Sequence, residues 1–124
     1  MRKILIADDD HDIVELLESR LRANNFDVVT AHDCSDAIKK AYSESPDLIL
    51  LDIKMPKVGG LSAFDSLQMY NRTESIPVIF ITAYPSKEVQ QKATEMGAVG
   101  FVAKPFDTDE LISKINKSLN KDDL

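Results

Sequence analysis

Five short apolar runs, separated by longer stretches with helical spacing, constrain this chain more than any other feature. The runs are Lys3 to Ala7, Asp27 to Thr30, Leu48 to Leu51, Pro77 to Ile81 and Val99 to Val102. Several are almost entirely Ile, Val and Leu, as expected for strands covered on both faces of a parallel sheet. Between and after them lie stripes that fit one face of a helix: Ile13, Leu16, Leu17 and Leu21; Ala37, Ile38 and Ala41; Leu61, Phe64 and Leu67; Val89, Ala93 and Met96; and Leu111, Ile115 and Leu119. The alternation predicts an α/β fold, a (βα)5 doubly wound parallel sheet with right-handed crossovers. Pro46 and Pro77 sit just before strands, where a missing N–H does least harm. Asp107, with Glu110 three residues on, is a cap for the last helix.

The 124 residues suit one domain, 1–124, with no linker, repeat or low-complexity stretch. Hydrophobic residues at 44% and charged residues at 29% are those of a globular protein able to bury a core. A formal net charge of -6 argues against a nucleic-acid backbone as partner. It suits a protein that gathers carboxylates around a cation or meets a basic surface. Cys34 has no second cysteine to pair with, so a reducing compartment and a cytoplasmic location are expected. The opening MRKILIADDD is too short in its apolar part, and too acidic after it, for a signal peptide. No run approaches the roughly 20 apolar residues of a membrane helix, and the terminal KDDL reads as a solvated end.

Ligands of such sheets bind at the carboxyl ends of the strands, near the point where strand order reverses. Asp8, Asp9 and Asp10 follow the first strand, Asp52 the third, Thr82 the fourth, and Lys104 with Pro105 the fifth; the second offers Ala31 and His32. Asp10 opens the first helix and reads as its cap. Asp8, Asp9 and Asp52 would meet at one edge, where like charges repel unless a cation joins them. An oxygen-rich set of this kind suits Mg²⁺ (or Mn²⁺). Lys104 adds a fixed positive charge and Thr82 a hydroxyl donor. A metal, a lysine and a hydroxyl around one carboxylate are what phosphoryl transfer to that carboxylate requires. His11 and His32 fall in no recognised ligand spacing and read as surface residues, and Met55, Met69 and Met96 as core or gap fillers.

ILIADDD at 4–10, LILLDIKMP at 48–56, Gly60, PVIFITA at 77–83, the Gly97-Ala98 pair and FVAKPF at 101–106 occur in one order and spacing. In these, essentially over its whole length, the chain resembles the receiver domain of bacterial response regulators. The resemblance implies strand order 2-1-3-4-5, with Asp52 as phosphoacceptor, Asp9 as direct metal ligand and Asp8 acting on the metal or its water. It further implies the backbone carbonyl of Lys54 as a metal ligand, Thr82 as the switch hydroxyl, Phe101 as the switch aromatic and Lys104 as the phosphate-contacting lysine, with a cis Lys104–Pro105 bond. The implied partners are a sensor histidine kinase or histidine phosphotransfer protein and a downstream output protein. The output face would be helix four, strand five and helix five, on a monomer or a weak phosphorylation-dependent dimer. Such a chain is not an enzyme in the ordinary sense, since it modifies only itself.

Phe101 lacks the hydroxyl a Tyr would carry, and Val58-Gly59-Gly60 replaces the more usual acidic residue before the glycine. Lys54 and Tyr84 stand two residues after Asp52 and Thr82, where the family tunes hydrolysis. Their bulk predicts a long-lived acyl phosphate. LDIKMP and Tyr84 are closer to sporulation-relay receivers than to chemotaxis ones. Three rivals are weaker. A flavin binder of the same fold needs a phosphate-cradling loop where three aspartates stand. An aspartyl-phosphatase needs a second acid where Lys54 stands. An inert scaffold would have lost functional residues that are all here.

Overall fold

The computed structural model describes residues 1–54, 59–83 and 85–120. Five strands, β1 (Lys3–Ala7), β2 (Asp27–Ala31), β3 (Leu48–Asp52), β4 (Val78–Thr82) and β5 (Gly100–Ala103), alternate with α1 (His11–Ala23), α2 (Cys34–Glu44), α3 (Gly60–Leu67), α4 (Lys87–Met96) and α5 (Thr108–Asn120). All pairings are parallel, in the expected order β2-β1-β3-β4-β5. Four strands run one residue beyond their apolar stretch, so Asp52 and Thr82 end β3 and β4 rather than follow them. The physical reason is that ladder bonds are made by the backbone and continue past a polar side chain: Ile53 N–H donates to Ile81 O (3.0 Å) and Lys104 N–H to Thr82 O (2.7 Å).

Two apolar layers sandwich the sheet. Ile4, Ile6, Leu48, Leu50, Ile79 and Ile81 face α1 and α5, which bury Val14, Leu17 and Leu21, and Leu111, Ile115 and Leu119. The alternate strand residues Leu5, Ile49, Leu51, Val78 and Phe80 face α2, α3 and α4 through Ala37, Ala41, Ala63, Phe64 and Ala93. α4 is the least anchored helix, with Ala93 its one buried residue. Three readings of the apolar pattern need correction. Leu16 is 50% exposed and Val14 takes its place, because 14, 17 and 21 keep the 3–4 spacing of one face. Met69 is 78% exposed, since α3 ends at Leu67 and Met69 falls in the turn beyond it. Val99 precedes β5 and is 52% exposed.

The helix starts are fixed locally. Asp10, Asp33 and Ser86 cap α1, α2 and α4 by accepting first-turn N–H bonds, and Asp107 Oδ1 accepts from Asp109 and Glu110 at the start of α5. Gly97 closes α4 at φ 105°, a left-handed conformation that an L side chain would strain. No helix among the described residues is long and apolar enough to cross a membrane.

Candidate functional site

The carboxyl end of the sheet gathers the predicted acids. β1 stops at Ala7, and Asp8 follows it into the crevice between β2 and β3, with its N–H bonded to Ala31 O (3.1 Å). Asp8 Oδ1 accepts from Asp10 N–H (2.9 Å), a short local bond that aims the carboxyl inward while Asp10 turns to cap α1. Asp52 Oδ1 accepts from Lys54 N–H (3.2 Å). Asp8 and Asp52 are 1% and 4% exposed, whereas Asp9 is open to solvent. One carboxylate oxygen from each of Asp8, Asp9 and Asp52 lies within 4.8 Å of the others.

Lys104 supplies the cation. Its Nζ stands 2.8 Å from Asp8 Oδ2 and 3.6 Å from Asp52 Oδ2. The Lys104–Pro105 peptide is cis, as expected. Burial works to lower the Lys104 pKa, but the hydrogen bond and charge of Asp8, with the charges of Asp52 and Asp10, outweigh it and hold the ammonium above its ordinary value. Asp52 moves the other way. Burial, then the charge of Asp8, raises its pKa from 3.8 to about 7, against the opposing pull of Lys104 and the Lys54 N–H. Thr82 is buried at the end of β4, one residue beyond the partner of Asp52 in the register. Phe101 pairs with Phe80 across β4 and β5 and packs, half-buried, against the α2–α3–α4 layer. Lys54 is exposed. Tyr84, Met55, Pro56 and the tail at 121–124 lie outside the described residues.

A family model for the response regulator receiver domain matches residues 4–116. The chain belongs to this family. The receiver domain is similar to that of Francisella response regulator 1452, at 30% identity over 98% of each chain with a TM-score of 0.90. It is similar to the Vibrio cholerae chemotaxis protein CheY4, at 28% identity over 94% of this chain and 98% of the other, TM-score 0.89. A CheY-like receiver domain protein of Methanospirillum hungatei JF-1 matches at 26% identity over 98% and 95%, TM-score 0.91. The chain is therefore a receiver of two-component signalling.

The close fit of Gly60 beneath Asp52 is the part of the site for which the sequence offers least sign. Gly60 begins α3 hard against the end of β3. A Cβ there would lie 2.2 Å from the Asp52 carbonyl oxygen and 2.8 Å from Ile53 Cα, while Gly60 N–H donates to Ile53 O (2.7 Å). The absence of a side chain thus sets how closely α3 supports the backbone that carries Asp52. The Gly59-Gly60 pair was the only signal. His32 is exposed, as the sequence suggests; its Nδ1 lies 3.3 Å from the Asp8 carbonyl oxygen and its ring stacks on the exposed His11. The burial of Cys34 at the start of α2, then the charges of Asp33 and Asp52, raise its thiol pKa, which disfavours the reactive thiolate and agrees with a packing role.

Proposed function

We propose that this receiver accepts a phosphoryl group on Asp52 from the phosphohistidine of a sensor kinase or histidine phosphotransfer protein, in a reaction that requires Mg²⁺ or Mn²⁺. The observation that carries this reading is Lys104 Nζ set against two buried carboxylates from different strands, with a third acid at the mouth. One lysine does not balance three acids, and hard oxygen donors in this number suit a small divalent cation. Asp8, Asp9, Asp52 and the Lys54 carbonyl would hold it. When bound, it would offset the charge on the phosphoryl oxygens and favour the ionised form of Asp52.

The chain's own groups do the rest. An Asp52 oxygen attacks phosphorus; the new P–O bond forms as the P–N bond of phosphohistidine breaks, and the electron pair returns to the imidazole nitrogen, which takes a proton. The Lys104 ammonium turns from the carboxylates to a phosphoryl oxygen. The Thr82 hydroxyl donates to another, and Phe101 follows into the α2–α3–α4 layer, which biases the α4–β5–α5 face toward a downstream protein. Lys54 and Tyr84 restrict attacking water, so the acyl phosphate is long-lived. The chain turns over no separate product and acts as a self-modifying cytoplasmic switch, monomeric or weakly dimeric when phosphorylated.

Intact-protein mass after incubation with acetyl phosphate and Mg²⁺ tests this. The expected result is one phosphoryl adduct that requires Mg²⁺ and is absent in Asp52→Asn. An adduct that survives in Asp52→Asn would overturn the assignment of the acceptor. No adduct from acetyl phosphate or from a phosphorylated histidine phosphotransfer protein would overturn the reading itself.

A further inference from the structure

α2 begins at Cys34, just beyond the carboxyl end of β2, and runs back to Glu44, short of the start of β3. Tyr42 in its last turn and Tyr70, between α3 and β4, therefore meet near the amino ends of the strands, at the opposite end of the sheet from the acidic cluster. Their ring centroids are 6.2 Å apart, with the planes at 77°. With Ile38, Lys39, Ser43 and Thr73 they line a mostly apolar groove of about 580 Å³. Tyr42 and Tyr70 stay 46% and 50% exposed, and adjoining open apolar surface of this kind marks a binding face. The groove is formed in advance. Thr73 is buried, its hydroxyl donates to Leu67 O (2.6 Å), and the N–H groups of Thr73 and Glu74 donate to Tyr70 O (3.1 and 2.9 Å). The turn that carries Tyr70 is thus ordered before anything binds, which lowers the entropic cost of binding.

The charge at this groove is opposite in sign to that of the chain. The formal net charge is -6, yet no Asp or Glu lines the groove and Lys39 does. Arg72 stands beside it, with its guanidinium 4.5 Å from the centre of the Tyr42 ring and donating to Ser45 Oγ (3.3 Å). Neither cation has a carboxylate partner among the described residues, unlike Lys3, Arg22, Lys40 and Lys104. An apolar floor of tyrosines with a cationic rim has the make-up of a protein docking surface. A small-molecule pocket would turn several polar groups inward, whereas the Thr73 hydroxyl is already engaged by Leu67 O. We propose that this groove docks an acidic segment of a partner protein, which seats one aromatic or aliphatic side chain against Tyr42 and Tyr70 and sets its carboxylates against Lys39 and Arg72. A partner held here leaves the acidic cluster open to a phosphodonor. This inference stands independently of the phosphoryl-transfer reading.

The test titrates the full chain, without Mg²⁺, with three capped peptides: Glu-Glu-Phe-Glu-Glu, Lys-Lys-Phe-Lys-Lys and Glu-Glu-Ala-Glu-Glu. Amide and aromatic proton shifts report binding. The first peptide should give saturable shifts at Tyr42, Tyr70 and Thr73, and the other two should bind about fivefold more weakly or worse. Tyr70→Ala and Arg72→Gln, both at exposed positions, should each weaken the first peptide about fivefold or more. Equal binding of the Lys and Glu peptides would overturn the proposal, as would shifts centred on Lys104 or no saturable shift at millimolar peptide. A concentration-dependent dimer in sedimentation that Tyr70→Ala abolishes would also overturn it, by assigning the groove to a second copy of the chain. Should a variant fail to fold, the three peptides on the wild-type chain still decide.

Discussion

Leu50 and Asp52 stand two residues apart on β3, so their side chains leave the same face of the sheet, and both are buried. For Leu50 the burial is stabilising, since it removes apolar surface from water among Ile6, Leu17 and Ile79 of the same layer. For Asp52 it is destabilising, since it removes a charge from water beside a second acid, and the raised pKa records that cost. One strand thus carries a stabilising middle and a strained end. The apolar middle is what lets the end persist in a conformation its own chemistry opposes.

The largest effect that would break this contrast is Leu50→Ala, expected to cost about 4 kcal/mol by the loss of a fully buried side chain and the cavity it leaves. Urea unfolding should show a lower midpoint at unchanged slope, and a loss below 1 kcal/mol would mean the middle is not what holds the site. Next is Asp52→Asn in the metal-free protein, expected to gain on the order of 3 kcal/mol at pH 8. The native state keeps the Asp52 proton between pH 3.8 and about 7, where the unfolded chain has lost it. Wild-type stability therefore falls as pH rises through that window, and the advantage of Asn closes toward pH 4. Added Mg²⁺ should narrow the gap at pH 8 by binding only the wild-type native state tightly. A gap independent of pH would mean that the ionisation of Asp52 is not its source.

Gly60→Ala sharpens the contrast at the join between middle and end. The added methyl meets backbone that cannot move aside, and about 2 kcal/mol should be lost. Gly59→Ala, whose Cβ would stand 3.3 Å from Ile53 O, should cost less. Mg²⁺ affinity should fall in Gly60→Ala and hold in Gly59→Ala; equal behaviour of the two would remove Gly60 as a support of Asp52. The smallest effect is Asp10→Ala, about 1 kcal/mol from the lost cap. It is the counter-example among the acids of this edge: exposed, bonded to helix N–H groups, and stabilising. Thermal unfolding should register its loss while phosphorylation of Asp52 continues.

The architecture was readable because strands covered on both faces leave nearly unbroken apolar runs, and Lys3–Ala7 was bounded correctly on that basis. The ends of β3 and β4 were not, since Asp52 and Thr82 look like loop residues until the backbone bonds beyond them are seen. Leu16 misled because an apolar residue beside a helical stripe is indistinguishable from a member of it until the partner layer is known. The acids, Thr82 and Lys104 were found by their positions after strands, and the structure brings Asp8, Asp9, Asp52 and Lys104 together. The Gly60 approach, for which the Gly59-Gly60 pair is the one sign, and the His11–His32 stack depend on contacts between elements.

α4 is held to the sheet by the single buried methyl of Ala93 and the half-buried Met96. A methyl group contributes only about 0.8 kcal/mol, against three large buried side chains beneath α5. Amide hydrogens of α4 should therefore exchange with solvent through a shallow local opening, while those of β1, β3 and β4 wait for the whole domain to unfold. Of the five helices, α4 is therefore the one that the smallest free energy would lift from the sheet.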